Sequence, residues 1–219
     1  MLRFFRYFLE LVYPSRCPGC GKLIHTGGDL WCWQCQTQVW NPRMIRSSCT
    51  EHLSGCYTLT DYAKGMRKCL IDLKFNHKVS SARGFHLFLE KFPWWDSLAD
   101  FRVAIPVPLS MEHARQRGYN QTDIIFEDWM IKQGKTYLSD GIIKIRNTVP
   151  QSQLLRNDRR HNLEHAFPCQ PRCIIERGKK CFLLDDIYTT GSTMEAAAKA
   201  LKMAGASEVT GMVMASKAP

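Results

Sequence analysis

The sequence predicts an α/β fold in which helices cover a parallel sheet, with a small cysteine-rich domain at the N-terminus. Three observations support this prediction. From Tyr57 onward, short apolar runs alternate with segments of helical periodicity, as in parallel sheets covered on both faces. Two C-x-x-C pairs lie close together near the N-terminus, and the run "CFLLDDI" leads directly into a Thr/Gly/Ser cluster and a helical pattern. We therefore divide the chain into residues 1–56 and 57–219.

The elements of the second domain follow from the spacing of apolar residues. We predict helices at 61–75, 84–92, 120–134 and 192–204, and strands at 101–109, 138–145, 181–187 and 208–216. The first of these strands ends in two prolines, which predicts a constrained loop after it. Residues 146–167 form a long polar segment rich in arginine, and such a segment inside a compact domain is often functional.

The composition excludes two broad classes of protein. Apolar residues make up 45% of the chain, too many for a disordered protein, and no apolar run approaches the roughly 18 residues of a membrane span. The formal net charge of +10 favours a polyanionic partner, either nucleic acid or a phosphorylated small molecule, although surface charge that serves solubility explains it equally well.

The N-terminal residues 1–14, "MLRFFRYFLELVYP", predict a short helix that packs on the protein and ends at Pro14. A basic amphipathic helix on a membrane surface is the alternative. Because no signal-peptide pattern is present, we expect a cytoplasmic location, with the inner face of the membrane as the variant that the amphipathic helix would allow.

Four cysteines near the N-terminus have the spacing of a zinc site. In "CPGCGKLIHTGGDLWCWQC", two C-x-x-C turns aim four thiolates at one point, and this shell suits tetrahedral Zn²⁺. Because four thiolates leave no open coordination position, the zinc of this knuckle is predicted to be structural. The predicted ligands are Cys17, Cys20, Cys32 and Cys35.

The other cysteines are expected to be ordinary buried or surface residues. With no export signal, a metal site explains the cysteine content better than disulfides do. Cys49, His52 and Cys56 have a metal-like composition but lack a fourth partner, so a second zinc site is the less favoured interpretation. The remaining cysteines are Cys69, Cys169, Cys173 and Cys181.

Two adjacent acids, Asp185 and Asp186, end the predicted strand at 181–187 and so lie at the carboxyl edge of a parallel sheet, where open α/β folds bind ligands. The stretch that follows supplies hydroxyls, backbone N–H groups and the positive end of a helix, which together favour a phosphate. Because carboxylates repel phosphate, the acids suit neutral hydroxyls such as those of a ribose. The pattern predicts a ribose 5-phosphate site, with a purely structural turn as the alternative. The phosphate residues are Thr189, Thr190, Gly191, Ser192 and Thr193.

This stretch, from Cys181 to Thr193, resembles the phosphoribosyl-diphosphate (PRPP) signature of type I phosphoribosyltransferases. The resemblance implies the type I phosphoribosyltransferase-like fold, with the ribose hydroxyls on the acid pair and the 5-phosphate on the loop after it. It also implies that Mg²⁺ accompanies PRPP and that a loop after an earlier strand holds the pyrophosphate. "IPVP" stands at that place, and because it carries no charge, Pro106 and Val107 are expected to act through backbone geometry.

Three further segments resemble the ComF/GntX family of competence-linked phosphoribosyltransferase-like proteins. They are the zinc knuckle, "RQRGYNQ" (115–121) and "TVPQSQLLRNDRRHNLEHAF" (148–167), so the likeness spans nearly the whole chain. Many relatives carry two complete cysteine knuckles, whereas this chain carries one. The resemblance implies a role in natural competence, with incoming single-stranded DNA and a helicase-type protein as partners.

Several arginines are placed to bind phosphate oxygens, which planar guanidinium groups do in pairs. Arg115 and Arg117 follow the "PVPL" loop, and Arg156, Arg159 and Arg160 lie in the long polar segment. We predict a catalytic role for Arg159, since a closing arginine would stabilise the departing pyrophosphate. For the cluster at 156–160, a solvated charge run and contact with single-stranded DNA are the alternatives.

Three functions remain open. We favour a PRPP-binding protein that handles incoming single-stranded DNA in transformation. A phosphoribosyltransferase for an unidentified nucleobase or small molecule is the alternative, and a regulatory PRPP-binding protein is the third. For DNA, "WCW" (31–33) and Trp40 beside Arg43 and Arg46 would provide stacking and charge, although tryptophans next to a knuckle more often form its core. No residue set identifies an acceptor, so the sequence leaves open whether turnover occurs.

Overall fold

The computed structural model describes residues 16–24, 30–143, 175 and 178–219. Within them, six strands form one sheet in the order β1-β2-β6-β5-β3-β4. All neighbouring pairs are parallel except β1 and β2, which are antiparallel. The predicted parallel α/β sheet is confirmed, and β5 lies in its interior. The strands are β1 Trp40–Met44, β2 Gly55–Asp61, β3 Phe101–Pro106, β4 Thr136–Tyr137, β5 Lys180–Tyr188 and β6 Glu208–Ser216.

Helices cover both faces of this sheet. On one face, α2, α3 and α5 pack with Phe182 and Leu184 of β5, and on the other face α6 packs with Leu183. Among the described residues, no helix has both the length and the apolar character that crossing a membrane requires. The helices are α1 Trp33–Val39, α2 Lys64–Phe75, α3 His86–Glu90, α4 Met111–Arg117, α5 Gln121–Lys132 and α6 Ser192–Met203.

Trp31 joins the cysteine segment to the core of the protein. Its indole ring is buried and meets Phe88 edge to face, with ring centroids 5.3 Å apart. The backbone of Gly65, at the start of α2, and that of Gly84 approach this ring so closely that a Cβ at either position would overlap it. The expectation that tryptophans beside the knuckle form a small core therefore holds for Trp31.

Several elements differ from the prediction: the strands β1 and β2 and the helices α1 and α4 were not predicted. Instead of a strand over 138–145, the chain forms the short β4 and then a turn in which Gly141 N–H donates to the Leu138 carbonyl at 3.1 Å. The last two residues of that prediction lie outside the described part. β1 contains Pro42, which an irregular edge strand tolerates. The domain boundary after residue 56 falls inside β2, and the division into two domains stays a prediction.

Candidate functional site

The acid pair lies at the carboxyl edge of the sheet, in its middle. β5 is flanked by β3 and β6, and all three strands run parallel. The pairing with β3 ends at Leu184, one residue before the acids, whereas β6 stays paired with β5 to Tyr188. The side chain of Asp186 is only 3% exposed, whereas Asp185 is half-buried. Both carboxylates therefore lie at the edge where open α/β sheets bind ligands.

Asp186 is paired with Lys74, a residue that sequence reasoning missed. Lys74 Nζ, near the end of α2, lies 2.6 Å from Asp186 Oδ2. The contact is an ion pair without hydrogen-bond geometry, because no hydrogen bond from the described residues reaches this oxygen. A carboxylate this deeply buried needs such a partner. Lys74 belongs to the predicted helix at 61–75, but its local sequence does not distinguish it from a solvated lysine.

Asp185 is held in a different way. Its Oδ1 accepts a hydrogen bond from the backbone N–H of Asp186 at 2.8 Å. Burial raises the pKa of the Asp185 carboxyl well above its usual range, the neighbouring Asp186 carboxylate raises it further, and Lys74 acts in the opposite direction. The two carboxyls thus resist carrying two negative charges at once, and they suit neutral hydroxyl ligands better than an anion.

The loop after β5 enters α6 through a glycine in the left-handed region. Gly191, with φ of +77°, is the N-cap residue of α6 and provides no side-chain cap. The ring of Tyr188 packs so close to Gly191 that a Cβ there would overlap it. Thr189 and Thr190 are exposed, and Thr190 Oγ1 lies 3.0 Å from Ser192 Oγ. The loop therefore gathers hydroxyls at the positive end of a twelve-residue helix, an arrangement that favours an anion.

The "IPVP" segment lies beside the acid pair. β3 ends at Pro106, and Val107 N–H donates to the carbonyl of Leu184 at 2.7 Å, one residue before Asp185. Asn120 Nδ2 donates to the Val107 carbonyl at 3.2 Å, so the "RQRGYNQ" segment holds this loop in place. The backbone of an uncharged loop is thus fixed next to the carboxylates.

The loop between β1 and β2 supports the first turn of α6. Glu195 Oε1 lies 2.7 Å from His52 Nδ1, and the Thr50 hydroxyl donates to the other oxygen of the same carboxylate. Ser192 and Thr193, both partly exposed, begin this turn. Contacts between segments so far apart in the sequence leave no local pattern, which is why sequence reasoning missed them.

Cys49, His52 and Cys56 do not converge on one point. Cys49 Sγ donates to the Ser54 carbonyl at 3.2 Å, His52 contacts Glu195, and Cys56 is fully buried in β2. Within the described ranges, one group of Cys, His, Asp or Glu side chains is close enough to hold a metal ion, and these three residues do not belong to it.

That group consists of the four predicted zinc ligands. Their sulfur atoms all lie within 4.8 Å of one another, so the cluster can hold a metal ion. Burial opposes ionisation of the Cys17 thiol, but backbone N–H groups, that of Cys32 first among them, lower its pKa to about 7. Burial raises the pKa of Cys35, and the three neighbouring cysteines raise it further. The four sulfur atoms belong to Cys17, Cys20, Cys32 and Cys35.

Two of the arginines singled out in the sequence lie in the described part. Arg115 is exposed near the end of α4, and Arg117 Nη1 donates to Gln121 Oε1 at 2.9 Å. The other three lie outside the described residues, so a role for Arg159 over the site stays a prediction. Those three are Arg156, Arg159 and Arg160.

The tryptophans proposed for stacking with bases differ in their surroundings. Trp31 is buried, and Trp40 stacks on Phe88 with ring centroids 5.9 Å apart. Trp33 is 73% exposed. Arg43 Nη1 is paired with a carboxylate oxygen of Asp61 at 2.9 Å. Of the three tryptophans, Trp33 offers the most open ring.

Comparison with known families places the acid pair in a recognised domain. The family model of the phosphoribosyl transferase domain matches residues 139–218, a range that contains β5, α6 and β6. The match thus includes both carboxylates and the loop that enters α6.

Curated proteins are similar over nearly the whole chain. "Competence protein F" of Haemophilus influenzae is 27% identical over 215 residues, covering 92% of this chain and 90% of that protein. "DNA utilization protein YhgH" of Escherichia coli O157:H7 is 30% identical over 213 residues, with the same two coverages of 92% and 90%. "Competence protein ComFC" of Streptococcus pneumoniae is 27% identical over 203 residues, covering 91% of this chain and 80% of that protein. Because this similarity extends far beyond the transferase domain, the chain belongs to the ComF/GntX family.

Proposed function

We propose that this protein binds PRPP with Mg²⁺ at the carboxyl edge of its sheet and acts in natural competence by handling incoming single-stranded DNA. One observation carries the PRPP part, namely the division of this edge into two chemically different halves. One half holds the buried acid pair, and the other holds the start of α6, whose N-cap Gly191 leaves it without a side-chain cap. A sugar phosphate matches both halves, because it has neutral hydroxyls at one end and an anion at the other.

The two halves assign the parts of the ligand. Asp185 and Asp186 bind the ribose hydroxyls, since a raised Asp185 pKa and the Lys74 ion pair limit the negative charge that they carry. The loop residues bind the 5-phosphate through hydroxyls and backbone N–H groups. These loop residues are Thr189, Thr190, Gly191, Ser192 and Thr193.

The pyrophosphate end of PRPP falls to the neighbouring loop. The backbone of Pro106 and Val107 lies next to β5, and Mg²⁺ would accompany the pyrophosphate as part of the bound ligand. If an acceptor nitrogen attacks C1 of the ribose, the C1–O bond breaks and pyrophosphate leaves with its electron pair. In this proposal Arg159 stabilises the charge of that leaving group.

The four-cysteine cluster has a structural role in this proposal and holds Zn²⁺. Four sulfur ligands fill a tetrahedral shell and leave no position for a substrate. Trp31, next to Cys32, packs into the protein core, so the metal would stabilise the docking of this segment on α2 and α3.

Two observations support the role in DNA handling. The chain carries a net charge of +10, which suits a polyanion. Relatives that match 91–92% of this chain are named competence proteins or a DNA utilization protein. We propose that the protein acts on the cytoplasmic side of the membrane with a helicase-type partner, as the family resemblance implies.

A transferase that uses PRPP to modify a nucleobase or small molecule is the second candidate, and the intact acid pair and loop favour it. A regulatory protein that only binds PRPP is the third. Neither the transferase nor the regulatory protein requires affinity for DNA, whereas the proposed role in handling single-stranded DNA does.

The deciding experiment is fluorescence anisotropy of a labelled single-stranded oligonucleotide at two salt concentrations, with and without Mg–PRPP. The proposal expects binding that weakens steeply with salt and changes with PRPP. Absence of binding at low salt would contradict the DNA role. A screen of nucleobases for pyrophosphate release would then separate the transferase from the regulator.

A further inference from the structure

A basic and aromatic surface lies at the end of α2, the helix whose Lys74 contacts the acid pair. We define the Phe75 surface by Phe75, His77 and Lys78 at the end of α2 and by Arg115 and Arg117 at the end of α4. Phe75 is 64% exposed, although its ring is large and apolar. It follows Lys74, whose ammonium group contacts Asp186. In the sequence, the surface therefore begins at the residue that follows the ion-pair partner of Asp186.

The ring of Phe75 and a guanidinium group form a stacked pair. Arg117 Cζ lies 5.3 Å from the centroid of the Phe75 ring. The orientation of Arg117 is fixed from the other side by its hydrogen bond to Gln121. An exposed ring with a planar cation held against it is suited to stacking with a nucleobase.

Two further cations belong to this surface. Lys78 and Arg115 are exposed. Asp72 offsets part of this charge: Lys78 Nζ lies 3.4 Å from its carboxylate, and Asn76 Nδ2 donates to the same carboxylate at 2.7 Å. The Asn76 hydrogen bond and the Lys78 charge hold the Asp72 pKa below its usual value, so Asp72 stays ionised. The net positive charge of the surface therefore comes from Arg115 and Arg117, which suit phosphates.

The backbone beneath the surface is held in an unusual conformation. His77 has φ of +51°, in the left-handed region that a non-glycine residue seldom adopts. The Tyr119 hydroxyl donates to the Leu73 carbonyl at 2.5 Å, and the Tyr119 ring meets the His77 ring edge to face at 6.1 Å. These contacts join the end of α2 to the segment after α4, so the two parts of the surface are held in a fixed relative position.

We propose that the Phe75 surface is where single-stranded nucleic acid binds, with one base stacked on the Phe75–Arg117 pair and the flanking phosphates on the surrounding cations. This inference rests on the proposed DNA role and adds its location. It places the strand next to the PRPP site, rather than at the tryptophans beside the cysteine cluster. Because Arg115 lies outside the stacked pair, a strand with a flanking phosphate fits this surface better than a single base does.

The test measures binding of a labelled single-stranded oligonucleotide by the full chain and by point variants whose folding is checked by circular dichroism. Phe75→Ala should raise Kd about tenfold, the loss expected for one stacked base, and should leave Mg–PRPP affinity unchanged. Phe75→Trp should restore binding because it restores a ring. Arg115→Gln, at an exposed cation outside the stacked pair, should lower the slope of log K against log salt by about 0.7, the value for one phosphate contact on a single strand.

Two further variants make the outcome decisive. Met203→Ala removes another exposed apolar side chain, 81% exposed at the end of α6, and should bind DNA as the wild type does. If Trp33→Ala loses binding while Phe75→Ala retains it, the location is wrong although the DNA role stands. If the wild type does not bind at low salt, the DNA role fails and this surface with it. A mononucleotide that binds as tightly as the oligonucleotide would also overturn the strand proposal.

Discussion

The four-cysteine cluster and the acid pair both bring like groups together, but the surrounding structure treats them in opposite ways. The four sulfur atoms face one another within 4.8 Å, and backbone N–H groups help Cys17 to ionise. The two carboxyls each have a separate partner, Lys74 for Asp186 and a backbone N–H for Asp185. Burial and the neighbouring Asp186 carboxylate also raise the pKa of Asp185, so the acid pair holds a proton to higher pH than exposed carboxyls do.

The difference separates a closed site from an open one. Four cysteine sulfurs this close together can hold a metal ion, and we expect such an ion to stabilise that segment. The carboxyls are already compensated within the protein, so the outer edge of the sheet is available for a ligand with hydroxyl groups. Changes in the first site should therefore affect stability, and changes in the second should affect ligand affinity.

The largest effect is expected for Cys17→Ser. Loss of one of four thiolates should release the zinc and destabilise the cysteine segment by several kcal/mol, since the binding energy of such sites is about 10 kcal/mol or more and is coupled to folding. Metal content and thermal unfolding measure both quantities. Cys49→Ser is the matched control, because Cys49 lies outside the cluster and should keep the metal. Full zinc occupancy in Cys17→Ser would instead move the ligand set toward Cys49 and Cys56.

The double variant Asp185→Asn/Asp186→Asn should show the opposite pattern. It should still fold, with some loss of stability because Lys74 loses its partner, but bind Mg–PRPP about 100-fold more weakly, because amides accept hydrogen bonds from ribose hydroxyls less strongly than carboxylates do. Titration calorimetry measures the affinity. Glu208→Gln removes a carboxylate at the opposite edge of the sheet, where it pairs with Lys180 at 3.1 Å, and should leave affinity unchanged. An unaltered affinity in the folded double variant would defeat the site assignment.

The parts of both sites that are local in sequence could be predicted, and the parts that join distant segments could not. Two C-x-x-C turns predict their own convergence, and four apolar residues before two acids predict a buried strand and its end. In contrast, the contacts Lys74–Asp186 and His52–Glu195 join residues whose neighbours carry no sign of each other. Each partner has an ordinary alternative on the surface, so no single-chain pattern identifies the pair.

Trp31 and Trp33 also show that burial set by distant segments cannot be predicted from local sequence. Both flank Cys32, yet one is buried and the other is 73% exposed. The outcome depends on glycines at positions 65 and 84, whose missing side chains make room for the Trp31 ring. The strand β1 was not predicted for a related reason: it forms by pairing with β2, and its own composition does not indicate a strand.

Gly191→Ala should have an intermediate effect and tests the phosphate half of the open site. A left-handed φ costs an alanine about 1–2 kcal/mol, and overlap with Tyr188 adds to it, so stability and PRPP affinity should both fall. Denaturant unfolding and calorimetry measure the two losses. Gly134→Ala is the control, because Gly134 has a similar φ of +72° in open space. Gly134→Ala should lose only the stability that the left-handed φ costs an alanine, and its PRPP affinity should not change. Equal losses in the two variants would remove the special role of Gly191.

The smallest effect is expected for a third carboxyl, Asp123 on α5. Burial raises its pKa as it does that of Asp185, but Asp123 lies outside the acid pair. Burial raises its pKa from 3.8 to about 6, and Glu127 adds to this, although the Tyr137 hydroxyl, which donates to it at 2.8 Å, acts in the opposite direction. The folded chain therefore holds this proton to higher pH than the unfolded chain. Its contribution to stability is complete below pH 3.8 and is lost as the pH rises through about 6.

Asp123→Asn keeps an acceptor for Tyr137 and should remove this pH dependence. The difference in unfolding free energy between variant and wild type should change by about 1–2 kcal/mol between pH 4 and pH 7, as measured by urea unfolding at several pH values. PRPP affinity should not change, because Asp123 does not belong to the acid pair. An Asp123→Asn chain with the wild-type pH slope would show that this proton is not held as the structure indicates. If PRPP affinity fell as well, the ligand edge would have to extend beyond Asp185 and Asp186 to the start of α5.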